Sequence, residues 1–211
     1  MTQTETSMTI EDAMRTRHSV RKYEKGVTIP EAELNQMIEL AATAPSSWNL
    51  QHWRFLVVTE QANKDQLLPI AYNQQQVSDA SAVIVILGDL EANKSFEEVY
   101  RPALEAGQIP QQAYDTLNQN VQAVYQGDQQ TARDEANRNA AFAAMQLMLA
   151  AKAKGYDTCP IGGFDRTKLI AELNIPARFT PVMMMTLGKA AAPAHATGRF
   201  PIDKMIIQEK F

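Results

Sequence analysis

Hydrophobic residues change their spacing several times along the chain, and each change marks an element. Leu34, Met37, Ile38, Ala41 and Ala42 recur at helical intervals behind Pro30, which predicts a helix that Pro45 stops. A shorter helix opens at Thr9-Ile10-Glu11-Asp12, a hydroxyl followed by carboxylates, and ends near Thr16. The run Phe55, Leu56, Val57, Val58, Thr59 is rich in β-branched residues and predicts a strand. Residues 63–71 read as a helix. Residues 82–87, Ala-Val-Ile-Val-Ile-Leu, are apolar at every position, so this strand is expected to be covered on both faces and central in its sheet. Residues 181–188 predict a second buried strand, and residues 165–174, followed by Pro176, a further helix.

Residues 90–130 break the pattern. They are polar and rich in glutamine, with helical patches at 96–104 and 113–125, and read as an excursion from the core that acts as a mobile cover. Residues 135–154 predict a long helix closed by Gly155, with lysines in its last turn. Its alanines fall on several faces, so other elements approach it closely all round; it is either central or at a subunit interface. The tail ends in Met205-Ile206-Ile207, apolar positions that need a covering surface. Intermixed helices and strands imply an α+β or α/β sandwich, and no linker divides the chain, so 1–211 is expected to be one domain with the excursion at about 90–130.

Composition narrows the function classes. The 211 residues are 45% hydrophobic, enough for a sizeable core. The 20 basic and 24 acidic residues give a formal charge of −4, with no basic block of the kind a nucleic-acid binder needs. Cys159 is the one cysteine, which excludes an internal disulfide and fits a reducing compartment. The polar start, Met1 to Thr9, has no apolar h-region, and the longest apolar run is far short of the roughly 20 residues that span a bilayer. A cytoplasmic protein without a membrane segment is expected.

Four segments carry candidate chemistry. In Arg17-His18-Ser19-Val20-Arg21, an extended backbone puts Arg17, Ser19 and Arg21 on one side, two guanidinium forks around a hydroxyl, suited to a phosphate; a solvated basic turn after the first helix explains the same spacing. In Pro45-Ser46-Ser47-Trp48-Asn49-Leu50-Gln51, amides can match a ring edge of mixed donors and acceptors, or the loop is simply polar with packed tryptophans. In Cys159-Pro160-Ile161-Gly162-Gly163, the glycine pair lets the main chain approach a ligand, or is only a turn. Arg199, in Thr197-Gly198-Arg199, is a late cation or a surface residue. His18, His52 and His195 are dispersed without metal-ligand spacing, and no catalytic residue and no metal site is assigned. A Rossmann-type enzyme is disfavoured because no G-x-G-x-x-G follows the first strand.

Taken together and in this order, the four segments resemble the FMN-dependent nitroreductase family from about Ile10 to Met205. The resemblance implies a central mixed, mostly antiparallel sheet flanked by helices, in an intertwined homodimer. It implies FMN bound by Arg17, Ser19 and Arg21, with His18 between them contributing mostly backbone. Pro45, Ser46, Ser47 and Asn49 would reach the flavin of the other subunit. Asn73 matches an amide at the flavin edge, and Gln76 stands where the family has a lysine. Pro160, Ile161, Gly162 and Gly163 match the loop near flavin N5, although one subgroup has Glu at the position of Gly162. Arg199 matches a phosphate-binding arginine whose usual lysine partner is Thr197 here. The implied activity is transfer of electrons from NADH or NADPH to nitroaromatic, quinone or similar small-molecule acceptors by a ping-pong mechanism. Its alternatives are a flavin-holding or regulatory protein with little turnover, or a reductase specialised for an enone or aldehyde.

Overall fold

The computed structural model describes residues 8–127 and 129–211. Of the polar start Met1 to Thr9, on which the expectation about secretion rests, residues 1–7 lie outside the described residues. Four strands, β1 (Trp53–Val58), β2 (Ala82–Asp89), β3 (Asp157–Ile161) and β4 (Phe179–Gly188), form one sheet in the order β1-β2-β4-β3, every neighbour antiparallel. Among the described residues the parallel component is one bridge, Ser19 to Thr158, at the outer edge of β3. An α+β sandwich with a mostly antiparallel sheet is what the structure contains.

The order β1-β2-β4-β3 follows from burial. All eight residues of β2 are buried, as its unbroken apolar run predicts, so it takes an inner position. Side-chain alternation then sorts its residues between two layers. Ile84 and Ile86 pack with Leu34 and Met37 of α2 (Glu31–Ala42) and with Ala140, Ala143, Ala144 and Leu147 of the long helix that follows the excursion. Val83, Val85 and Leu87 pack on the other face with Leu67 and Ile70 of α3 (Gln61–Ile70), Val77 of α4 (Gln76–Asp79) and Leu169 near the chain's last helix turns. Each buried aliphatic side chain contributes about 1.5–3 kcal/mol.

The first helix, α1 (Ile10–Thr16), starts as expected: Thr9 Oγ1 accepts the Asp12 N–H and the Asp12 carboxylate accepts the Thr9 N–H, a reciprocal cap. The excursion holds α5 (Phe96–Glu105) and α6 (Gln111–Gln126), close to the two helical patches read from sequence. Its expected poor patterning is corrected: Phe96, Tyr114, Val121, Ala92 and Leu50 form a separate small core, with Phe96 and Tyr114 edge-to-face at 5.1 Å. The next helix, α7 (Gln129–Ala153), begins six residues before the expected start at Glu135. It lies against α1, α2, α6 and all four strands, so its small residues serve a central position. Gly155, at φ +73, sits just beyond its end, in the left-handed region that favours glycine. The last helix, α8 (Arg166–Glu172), is capped by Asp165 Oδ1, which accepts the Lys168 N–H at 3.1 Å.

Two further expectations change. The strand predicted at 55–59 starts earlier, at Trp53. More importantly, of the residues that the resemblance matches to a loop, Pro160 and Ile161 belong to strand β3. Thr158 directs its carbonyl outward to the Val20 N–H, at 3.1 Å. Pro160, two residues on, faces the same way, where its missing N–H leaves no partner unsatisfied on β4.

Candidate functional site

Two of the four candidate segments, joined by Gln74 and its neighbours, converge at the β3 edge. Residues 17–20 leave α1 in extended form; Arg17 caps the helix at φ −66, ψ 119, and Ser19 bridges to Thr158. Arg21, the Ser19 hydroxyl and Arg17 all favour the charged form of the Cys159 thiol, which therefore senses this stretch. Val20 of this stretch is buried, so alternation places Arg17, Ser19 and Arg21 on the opposite side. Burial pushes the thiol up, and Arg21, Ser19 and Arg17 oppose the shift only in part. Cys159 is thus a buried neutral thiol, in keeping with its reading as a small hydrophobe. Arg21 Nη1 reaches only the Ser19 carbonyl, at 3.4 Å, and among the described residues neither Arg17 nor Arg21 is ion-paired with a carboxylate. Two uncompensated cations beside a hydroxyl are a ready seat for a phosphate.

From Cys159, β3 runs through Pro160 and Ile161 to Gly162 and Gly163. Neither glycine has a positive φ, so neither is there for backbone freedom. A Cβ added at Gly162 would meet nothing within 4 Å, and one at Gly163 would only touch Gln74 and Tyr72, at 3.9 and 4.0 Å. The bare backbone therefore faces open space that a planar ligand can enter. Gln74 Nε2 donates to the Gly163 carbonyl at 2.8 Å, and Gln74 Oε1 accepts from Gln76 Nε2 at 3.2 Å. Asn73 is exposed, and both Tyr72 and Asn73 are left-handed, at φ +53 and +57. Gln74, and Gln76 through it, are thus tied to the glycine loop. Gln74 was missed by sequence reasoning, although its place between Asn73 and Gln76 is a usable signal.

Pro45, Ser46, Ser47 and Asn49 do not join this cluster. They lead into β1, while Ser19 and Gly162 lie at β3, and these are the two outer strands of four, roughly 14 Å apart at the usual strand spacing. This second loop is strained: Trp48, Asn49 and Gln51 are all left-handed, at φ +50, +51 and +49. For Trp48 that conformation costs roughly 1–2 kcal/mol, whereas asparagine tolerates it better. Five of the non-glycine residues with positive φ thus fall in two candidate segments, where backbone strain is most often retained for function. Asn49 is exposed. Trp48 is half-buried against the excursion core.

External groups hold the second loop. The Ser47 N–H donates to Asn139 Oδ1 at 2.8 Å, and Ser47 Oγ donates to Glu135 Oε2 at 2.6 Å. Burial raises the Glu135 carboxyl, but hydrogen bonds from Ser47 and Asn139 and the adjacent Arg138 outweigh it, leaving the group below its ordinary value. Glu135 and Asn139 were not singled out from sequence. The available signal was a polar Asn139 on the buried stripe Ala136, Ala140, Ala143, Leu147.

Arg199 stays apart as well. Its guanidinium bonds to Thr197 Oγ1 at 3.1 Å and to the Gly198 carbonyl at 2.8 Å, within an exposed tail. Phe200, Ile202, Met205, Ile206 and Ile207 of that tail are all at least half exposed. His18 is half-buried between the two arginines, and His195 is exposed. His52 is wholly buried, with Nε2 at 2.7 Å from the Tyr125 hydroxyl and Nδ1 unpartnered, a structural role. Among the described residues no helix is long and apolar enough to cross a membrane.

Comparison with known proteins bears on this geometry. A family model described as the nitroreductase family matches residues 14–189. The chain is 47% identical over 194 residues to "Putative NAD(P)H nitroreductase YodC" of Bacillus subtilis, covering 92% of this chain and 96% of that protein. It is 37% identical over 191 residues to the CLA biosynthesis enone reductase of Lactiplantibacillus plantarum, covering 88% of each. A crystal structure of an Exiguobacterium sibiricum protein in complex with FMN superposes with a TM-score of 0.88 at 36% identity, over 99% of this chain and 100% of that one.

Proposed function

The chain belongs to the nitroreductase family, and from that premise we propose the following reading of its site. The protein is an FMN-dependent oxidoreductase that takes electrons from NADH or NADPH and reduces nitroaromatic, quinone or similar small molecules. The observation that carries the reading is the pair of uncompensated guanidinium groups, Arg17 and Arg21, around Ser19, next to a glycine loop with open space before it.

Arg17, Ser19 and Arg21 hold the FMN phosphate, with the His18 main chain between them. Asn73 and Gln76, joined by Gln74, present amides to the ring edge. Pro160, Ile161, Gly162 and Gly163 leave the ring face accessible. Arg199 adds a second-site cation once its tail is seated. When bound, FMN supplies hydride chemistry, accepting from the nicotinamide and giving to an acceptor that takes its place, in ping-pong order. The chain binds and orients these partners, and no side chain is assigned as a proton donor.

A second copy of the chain completes the site. Pro45, Ser46, Ser47 and Asn49 lie at the opposite sheet edge from Arg17–Arg21, so they line the flavin of a partner rather than their own. The exposed apolar tail supports the same homodimer, with an interface above about 2,000 Å². Residues 1–211 form one domain, the excursion at about 90–130 limits acceptor size, and the cytoplasm suits a chain with one buried thiol.

The test is direct. The purified protein is expected to be yellow, with noncovalent FMN and not FAD. Arg17→Ala combined with Arg21→Ala is expected to strip it, each lost charge-assisted contact being worth about 1.5–3 kcal/mol. NADH and NADPH oxidation is then followed with nitroaromatic, quinone and enone acceptors, the last because one relative is an enone reductase. A colourless protein with full reductase activity would overturn the assignment.

A further inference from the structure

The strained Pro-Ser-Ser loop is gripped from outside the flavin segments. Asn139, 1% exposed, accepts the Ser47 N–H through Oδ1 and donates through Nδ2 to the Glu135 carbonyl at 2.7 Å and to Glu135 Oε2 at 3.0 Å. Glu135 Oε2 also accepts from Ser47 Oγ, and Arg138 Nη1 fixes Oε1 at 2.6 Å. On the other flank, the Tyr100 hydroxyl donates to the Trp48 carbonyl at 3.0 Å. Every polar atom of the Asn139 amide group is thereby used, and both of its ends converge on one loop residue and one helical turn. A buried amide with all its partners in place fixes orientation, because any rotation leaves a donor or acceptor unsatisfied.

We propose that Glu135 and Asn139 are positioning residues that lock Ser47, and through it left-handed Trp48 and Asn49, so that α7 of one subunit sets how tightly the flavin of the other subunit is held. The proposal rests on the FMN and homodimer reading above. Neither side chain touches the cofactor; both act through the loop. The short spacing along α7 matters, since Glu135 and Asn139 lie one turn apart on the face toward the loop. Tyr100 brings the excursion into the same assembly, so a change of packing there is felt at Trp48 and then at Asn49.

The experiment compares FMN dissociation constants of the full-length protein with those of Asn139→Ala, Glu135→Ala and Glu135→Gln. Glu135→Gln keeps an oxygen that accepts the Ser47 hydroxyl and removes the charge together with the oxygen that Arg138 holds. The two alanine variants are expected to bind FMN about ten- to a hundredfold more weakly, the range for loss of one or two buried hydrogen bonds, and Glu135→Gln to stay within about threefold of wild type. A mixed dimer then separates positioning from general damage. One subunit carries Arg17→Ala with Arg21→Ala, its partner Asn139→Ala, and the pair is isolated by two different tags. One of its sites collects both lesions and the other collects none, so the mixed dimer is expected to bind one FMN with wild-type affinity.

If Asn139→Ala acts by weakening its own subunit's fold, or the loop serves its own subunit's flavin, no wild-type site appears and the proposal is overturned. Unchanged FMN affinity in both alanine variants also overturns it while leaving the flavin reading intact. A wild-type protein that fails to bind FMN at all removes both. Should Asn139→Ala not fold, Glu135→Ala, on the more exposed side of the same grip, takes its place in the mixed dimer.

Discussion

Replacing Gly88 with alanine tests the packing of the central helix against the sheet, on which the candidate site depends. A Cβ at this position would lie 2.8 Å from the Ala136 carbonyl oxygen and 3.0 Å from both its carbonyl carbon and its Cβ. Non-bonded carbons are at ease at about 3.5–4.0 Å, so β2 and α7 must separate by roughly 0.5–1 Å. Two of the three obstructing atoms belong to backbone, which cannot rotate away. Overpacking of this kind costs about 1–3 kcal/mol, and the rigid helix places Gly88→Ala toward the upper end, about 2–3 kcal/mol.

Urea unfolding followed by circular dichroism, at one protein concentration and with saturating FMN, measures the loss. With a slope of about 2–3 kcal/mol per molar, the midpoint is expected to fall by about 1 M. Ala136→Gly added to Gly88→Ala removes the Cβ contact but leaves the carbonyl at 2.8 Å, so it is expected to restore only part. A loss below about 0.5 kcal/mol with an unchanged slope would refute the reasoning, because it would mean that α7 yields freely. Glu135 and Asn139 flank Ala136 on the same helix, so FMN affinity is expected to fall along with stability.

Arg178→Ala leaves the Asp89 carboxylate, 1% exposed, without the guanidinium that grips both its oxygens at 2.8 and 2.6 Å. The expected loss is about 3 kcal/mol by the same unfolding assay, and a change under about 1 kcal/mol would show that water replaces the arginine. Burial holds His52 below its ordinary value, with Glu135 and Asp89 opposing the shift. The folded protein therefore excludes a proton that the unfolded chain takes up, and stability is expected to fall as pH drops below about 6.5 toward the folded value. That slope should flatten in His52→Phe, and parallel profiles would contradict the assignment to His52. Removal of residues 199–211 takes away Phe200, Ile202, Met205, Ile206 and Ile207, exposed in a single chain. Sedimentation is expected to show a shift from dimer toward monomer with loss of flavin, and an unchanged flavin-loaded dimer would deny the tail that role.

Sequence alone determined the elements whose signals are local. The Thr9 cap, the apolar stripe from Leu34 to Ala42, and the run at 82–87 each contain their own cause, because capping geometry and period need only near neighbours. The order of the candidate segments was equally visible, and it carried the family resemblance. Tertiary structure decided what depends on partners far along the chain. β3 contains Pro160, which a strand accepts only where its N–H side is not paired with a neighbouring strand, and that is decided by the distant Val20 and β4. The excursion looked unpatterned because its apolar residues are completed by Leu50 and Trp48, some fifty residues before α5. The grip of Glu135 and Asn139 on Ser47 spans about ninety residues, and no spacing rule reaches that distance. Arg17, Ser19 and Arg21 were recognisable as a charge pattern. Only the fold sets them against β3 and leaves the Pro45–Asn49 stretch at the far strand, because strand order is fixed by pairings between residues distant in the chain.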